Sequence, residues 1–196
     1  MKRKVVFVVA AVSALLLTSC SQINSAAKVG KTEITNNQVQ STINSILKER
    51  SKFDTQNQNL PTKADLTLSA VRFHVISAIF DALAKGAQLK ITDGVTTKKR
   101  EEILAQLGSA DNLPQALVKA SIAQKDFDRY VRTIVIIEKM GQILAAAGDK
   151  STDGSGIQKL VIAAAKREKV EINPRYGTWN YTTGTIDPVS STAPVK

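Results

Sequence analysis

The chain has 196 residues, of which 43% are hydrophobic, with one cysteine, one histidine and a formal charge of +10. That length and apolar content suffice to bury one proper core. A single cysteine excludes an internal disulfide framework, and a single histidine leaves scattered carboxylates as the remaining metal ligands, which is not the spacing of a metal site.

Lys2, Arg3 and Lys4 form a basic start, residues 5–17 are an unbroken apolar and small run, and Thr18 and Ser19 precede Cys20. This is the layout of a secretory signal. The apolar run is 13 residues long, and a bilayer-spanning helix needs about 20, so a permanent transmembrane anchor is not expected. Leu17-Thr18-Ser19-Cys20 resembles a bacterial lipobox. The resemblance implies a thioether-linked diacylglyceryl group on Cys20 and cleavage between Ser19 and Cys20. Signal peptide 1–19 would be lost, and a lipidated tether, 20–26, would lead into the domain. Each buried lipid methylene contributes about 0.8 kcal/mol, so one acyl chain anchors weakly and two anchor stably. A diacylated Cys20 would hold the protein on the extracytoplasmic face of the cell membrane. Without Lys2, Arg3 and Lys4 the chain keeps 24 basic and 17 acidic residues, a balance of +7. Export argues against nucleic acid as the partner of that charge. Anionic headgroups, acidic partners or simple solubility are the readings left open.

Along the rest of the chain, residues 27–34 alternate around a Gly-Lys pair and predict a short hairpin. Thr35 with Gln38 three residues later is a capping box, followed by Val39, Ile43, Ile46 and Leu47 on one helical face. Residues 51–62 are polar and read as a loop. A long helix is predicted over 63–89, with an apolar stripe wide enough to be covered on several sides. Thr92-Asp93 caps a further helix through Ile103, Leu104 and Leu107, ending at Gly108. A short helix with Pro114 in its first turn covers 112–120. Phe127, Tyr130, Val131, Ile134, Ile137, Gly141 and Leu144 line the next helix, which stops at Gly148. Residues 148–156 are a polar linker, and a final helix spans 156–168. Val170-Glu171-Ile172 reads as one late strand. The tail 181–196 is rich in Thr, Ser, Gly and Pro and reads as disordered. The late strand needs a partner, because unpaired strand backbone is costly to bury. The other strand material is at 27–34. The fold class expected is therefore mostly α, with a minimal two- to three-stranded sheet joining the N-terminal hairpin to a C-terminal strand.

No constellation of residues points to catalysis, a metal or a cofactor. His74 lies mid-helix between Phe73 and Val75 and reads as a packed or surface residue. Asp126 and Asp128 flank Phe127 near a helix start, where carboxylates favour the macrodipole. The glycines at 148, 154 and 156 lack the Lys-Ser/Thr ending of a phosphate loop. Arg175, Tyr176 and Trp179 are gathered just after the late strand. They either cover the small sheet, with Arg175 stacked on a ring, or form a contact patch for extended polypeptide.

The segment Ala27-Lys28-Val29-Gly30-Lys31-Thr32-Glu33-Ile34-Thr35 resembles the A-x-V-x-G-x-x-I-T opening of SurA/PrsA-like N-terminal domains, and the run of helices after it does too. Residues 170–179 resemble the closing strand of actinobacterial-type lipoproteins of that group. The resemblance covers 27–180. It implies a helical chaperone domain, completed by a C-terminal segment, that binds unfolded or secreted polypeptides outside the cytoplasm. Many relatives insert a parvulin-type prolyl isomerase before the closing segment. Here that place is the 148–156 linker, too short for a domain, so a holdase without isomerase activity is the expectation. The alternative is a structural or adaptor lipoprotein of the envelope that binds one specific partner.

Overall fold

The computed structural model describes residues 24–55, 58–151 and 153–189. Ser19, Cys20 and the rest of the expected signal segment lie outside these residues, as does 190–196. The chain opens with β1 (Ser25–Val29) and β2 (Thr32–Thr35), an antiparallel hairpin. Gly30 sits in its turn at φ +59, and a Cβ there would meet Glu168 Oε2 at 2.5 Å. Glycine meets the positive φ without strain, and a Cβ would displace the end of the Glu168 side chain. The Gly30 N–H donates to the Glu168 carbonyl at 2.7 Å, which pins the hairpin tip to a residue far along the chain.

Six α-helices follow: α1 (Asn36–Arg50), α2 (Lys63–Gly86), α3 (Asp93–Gln106), α4 (Leu113–Ala120), α5 (Phe127–Ala146) and α6 (Ser155–Arg167). The capping box at Thr35 is formed: Gln38 N–H donates to Thr35 Oγ1 at 3.2 Å, and Thr35 N–H donates to Gln38 Oε1 at 2.8 Å. A second box, Thr62 with Asp65, opens α2. Hydrogen bonds from Thr62 hold the Asp65 carboxyl below the usual carboxylate range. Thr92 stands at the N-cap of α3, but its side chain makes no capping bond.

α2 is the spine. Leu66, Val71, Val75, Ile79 and Phe80 are buried on several of its sides, as its wide stripe predicts. By length and composition α2 could cross a membrane, but it packs against α1, α5, α6 and β1. α5 is rotated from its sequence reading. Val131, Val135, Ile136 and Met140 are its buried residues beyond Phe127, while Tyr130, Ile134, Ile137, Gly141 and Leu144 are only partly covered. The reason is that α5 has helices on more than one side, α2, α3 and α6, so no single stripe defines its inside.

The late strand, β3 (Glu171–Ile172), pairs antiparallel with β1, Ala27 opposite Ile172 and Lys28 opposite Glu171. The sheet order is β2-β1-β3. The chain is mostly α with a minimal sheet that joins its two ends. The tail departs from its disordered reading. β4 (Thr178–Asn180) and β5 (Thr185–Asp187) form a second hairpin, Trp179 opposite Ile186. Ile186 is 2% exposed. The Asn180 side-chain carbonyl accepts from the N–H groups of Thr182 and Thr183, and Gly184 follows at φ +69. That is turn chemistry, present in a stretch whose composition suggested disorder. The folded unit therefore runs to Asp187 and not to residue 180.

Three apolar clusters result among the described residues. The large one joins the sheet, α1, α2, α6, the later part of α5 and the β4–β5 hairpin. A second gathers Leu113, Leu117, Phe127 and Val131, with Ile103, Leu104 and Leu107 of α3 packed on it. The third is Ile46, Leu66 and Ala123.

Candidate functional site

Two open hollows lie on either side of Asp81 of α2. One recess, about 640 Å³, is walled by α3 and α5 and includes Ile91, Arg100, Arg129, Val131 and Arg132. The other, about 700 Å³, lies between the β1–β2 turn, α2 and the end of α6, and includes Val29, Lys31, Ala78, Ala82 and Lys85. Asp81 lines both. Arg132 Nε donates to Asp81 Oδ1 at 3.0 Å. Both partners are half-exposed, so this pair positions more than it stabilises. Arg100 pairs with Asp128 and lies 5.0 Å over the Phe127 ring. Among the described residues Lys31, Lys85 and Arg129 make no ion pair. Asp93 is the carboxylate of these walls that is likewise unpaired. The first recess balances Arg100, Arg129 and Arg132 with Asp81, Asp93 and Asp128, and the second sets Lys31, Lys85 and Arg167 against Asp81 and Glu168, with Val29, Ala78 and Ala82 as its apolar lining. Such a surface can bury apolar side chains and attract carboxylates without fixing one ligand shape.

A second polar feature is buried. Thr42 Oγ1 donates to Asp126 Oδ2 at 2.6 Å and lies 3.0 Å from His74 Nε2. A hydroxyl has one hydrogen, and the carboxylate takes it. The His74 contact must therefore run from Nε2–H to Thr42 Oγ1. This order sets the imidazole tautomer, and it is the wrong order for nucleophilic activation, where the imidazole nitrogen accepts the hydroxyl proton. His74 is 5% exposed. Burial pushes it below the usual imidazole range; Asp126 opposes this, and Arg129 and Lys125 reinforce it. Asp126 holds the N-cap position of α5 but makes no side-chain capping bond, and Asp128 pairs with Arg100. Both carboxylates stand at the start of α5, as expected, and each also reaches another element.

The C-terminal aromatics are anchors. Trp179 is 5% exposed and belongs to the large cluster, with its Nε1 buried and unpartnered. Buried in this way, it presents no ring to a passing polypeptide. The Tyr176 hydroxyl donates to Asn36 Oδ1 at 2.9 Å. Arg175 donates to the Tyr176 oxygen at 2.6 Å and stacks 4.7 Å from its ring. Asn173 ties this turn to β1, through its N–H to the Ala26 carbonyl and its Nδ2 to the Ser25 carbonyl, both at 2.9 Å. Trp179 thus covers the core, while Arg175 is exposed and Tyr176 half-buried.

Sequence reasoning missed both the Asp81 surface and the Thr42 link. Thr42 is 32 residues from His74 and 84 from Asp126, so no local spacing joins them. The available signal was a polar residue, Thr42, beside Val39, Ile43 and Ile46 on an apolar face. No group of three or more His, Cys, Asp or Glu suited to a metal occurs among the described residues. Searches of family models, of curated proteins and of solved structures found no match to this chain.

Proposed function

We propose that this protein is a lipid-anchored extracytoplasmic holdase, held to the membrane through Cys20, that binds unfolded or secreted polypeptides without acting as an isomerase. The observation that carries this reading is the paired recess about Asp81. Two open hollows of about 640 and 700 Å³ meet at one residue, so together they offer length and not a closed cavity. Their apolar lining, Ile91 and Val131 in one and Val29, Ala78 and Ala82 in the other, accepts varied side chains at roughly 25 cal/mol per Å² of apolar surface buried. Lys31, Lys85 and Arg129 on the walls speed encounter with acidic chains. The lipobox-like Leu17-Thr18-Ser19-Cys20 and the SurA-like opening at 27–35 support the same reading from the sequence.

The test is aggregation of a chemically unfolded client, followed by light scattering, with chain beginning at Ser21 added. Suppression near equimolar amounts is expected. Lys85→Glu together with Arg129→Glu should weaken it, as should salt that shortens the Debye length to about 3 Å. Normal suppression by that double variant would remove the recess as the site. Absence of any suppression, with a single envelope protein recovered after crosslinking in membranes, would establish the adaptor instead. Cys20→Ser should release the protein from the membrane fraction.

A further inference from the structure

We propose that His74, Thr42 and Asp126 form an acid-sensitive latch, which holds segment 121–126 and the start of α5 against α1 and α2 and loosens when His74 takes up a proton. The seam it closes is built differently from the core. Across it run three side-chain hydrogen bonds: Thr42 to Asp126 at 2.6 Å, Lys125 Nζ to Ser41 Oγ at 2.9 Å, and Arg50 to Ser121 Oγ at 3.0 Å. Its apolar content is the small cluster of Ile46, Leu66 and Ala123. A cavity of about 20 Å³, lined by Thr42, Ser69, Ser121 and Asp126 among others, lies beside it. That is room for about one water among polar partners, so the seam has a foothold for solvent.

The chemistry of the latch sets its response. At neutral pH Nε2–H already donates to Thr42, so an added proton must go to Nδ1. The new charge arises in a buried site. Asp126 faces it from the turn before α5, and Phe73 packs edge-on with ring centroids 5.3 Å apart. Lys125 from the same turn and Arg129 from α5 oppose the charge. Opening the seam to water relieves the burial and lets the cations move away. The sign follows from linkage. The folded pKa lies below the unfolded value of about 6.5, so the open state binds the proton better. Closure is complete above about pH 6.5 and is lost as pH falls through the folded value.

This chain has one histidine, so its imidazole resonance is unambiguous. The experiment takes the full chain in mild detergent, titrates the His74 Cε1 proton by NMR, and follows amide exchange, corrected for intrinsic rates, from about pH 7.5 to about pH 5.5, above the range of ordinary carboxylates. A midpoint below about 6.5 is expected. Amides of 113–131 should lose protection on acidification while those in the middle of α2 keep it. The loss can reach about tenfold per unit of pKa depression. His74→Gln keeps an N–H for Thr42 and cannot titrate, so it should abolish the acid response. Thr42→Ser, which keeps the hydroxyl, should preserve it if the glutamine variant folds poorly. A midpoint at or above 6.5, uniform loosening of the whole chain, or the same response in His74→Gln would overturn the latch.

Discussion

The two halves of this molecule are held by different physics. Around α2 the sheet, α1, α6 and the C-terminal hairpin converge on one continuous apolar cluster, in which Val71, Val75 and Ile79 are wholly buried. Around α4 the cluster contains four buried side chains. α3, which covers it, buries none of its own residues fully. α3 is fastened instead by charge. Lys99 reaches Glu102 and Glu138 at 2.5 and 2.9 Å, and Arg100 spans Asp128 and the Phe127 ring. Exposed ion pairs contribute little to stability and are screened by salt. The lesson is that low burial places opening events at α3 and α4 first, next to the recess proposed as the client site.

Breaking the core should have the largest effect. Ile79→Ala should cost about 4 kcal/mol, because it removes a fully buried side chain and leaves a cavity. Leu104→Ala, on the half-buried face of α3, should cost only about 1 kcal/mol, since the surface can collapse around it. Urea denaturation measures both. Equal losses would erase the contrast between the halves.

The C-terminal hairpin sharpens the comparison, because its sequence looks like a tail while its packing belongs to the core. A chain ending at residue 180 removes Ile186 and uncovers Trp179. It should lose about 3 kcal/mol, at the upper end for burying one large side chain, and the fluorescence of the sole tryptophan should shift to the red. An unchanged spectrum and midpoint would show that the hairpin contributes nothing. The seam between the halves should give a smaller effect than Ile79→Ala or the truncation. Thr42→Val removes the donor to a buried carboxylate at a cost of about 2 kcal/mol, read as a lower denaturation midpoint. No change there would mean that Asp126 is satisfied without Thr42.

Much of the element order was legible because its causes are local. The Thr35–Gln38 box, the Gly30 turn, Pro114 early in α4 and Gly108 after α3 each act through neighbours a few residues away. The pairing of the chain's ends was legible for another reason: one late strand had one candidate partner. The face of α5 was not legible, since a helix with neighbours on more than one side has no single periodic stripe. Nor was the β4–β5 hairpin, whose Asn180-to-Gly184 turn is hidden in polar, strand-poor composition. The candidate site was the least legible part. Lys31 in the β1–β2 turn, Asp81 on α2, and Arg129 and Arg132 on α5 are far apart in the chain and look like ordinary surface charges in the sequence.

What the sequence determined by itself is therefore the set of helices, the Thr35–Gln38 cap and the closing of the small sheet, because turn geometry and period are short-range properties. The tertiary structure alone decided which charges stand around one hollow, and that Thr42 would spend its proton on Asp126 while accepting one from His74. Those outcomes depend on how helices far apart in the chain pack, and on the burial that makes each hydrogen bond there obligatory.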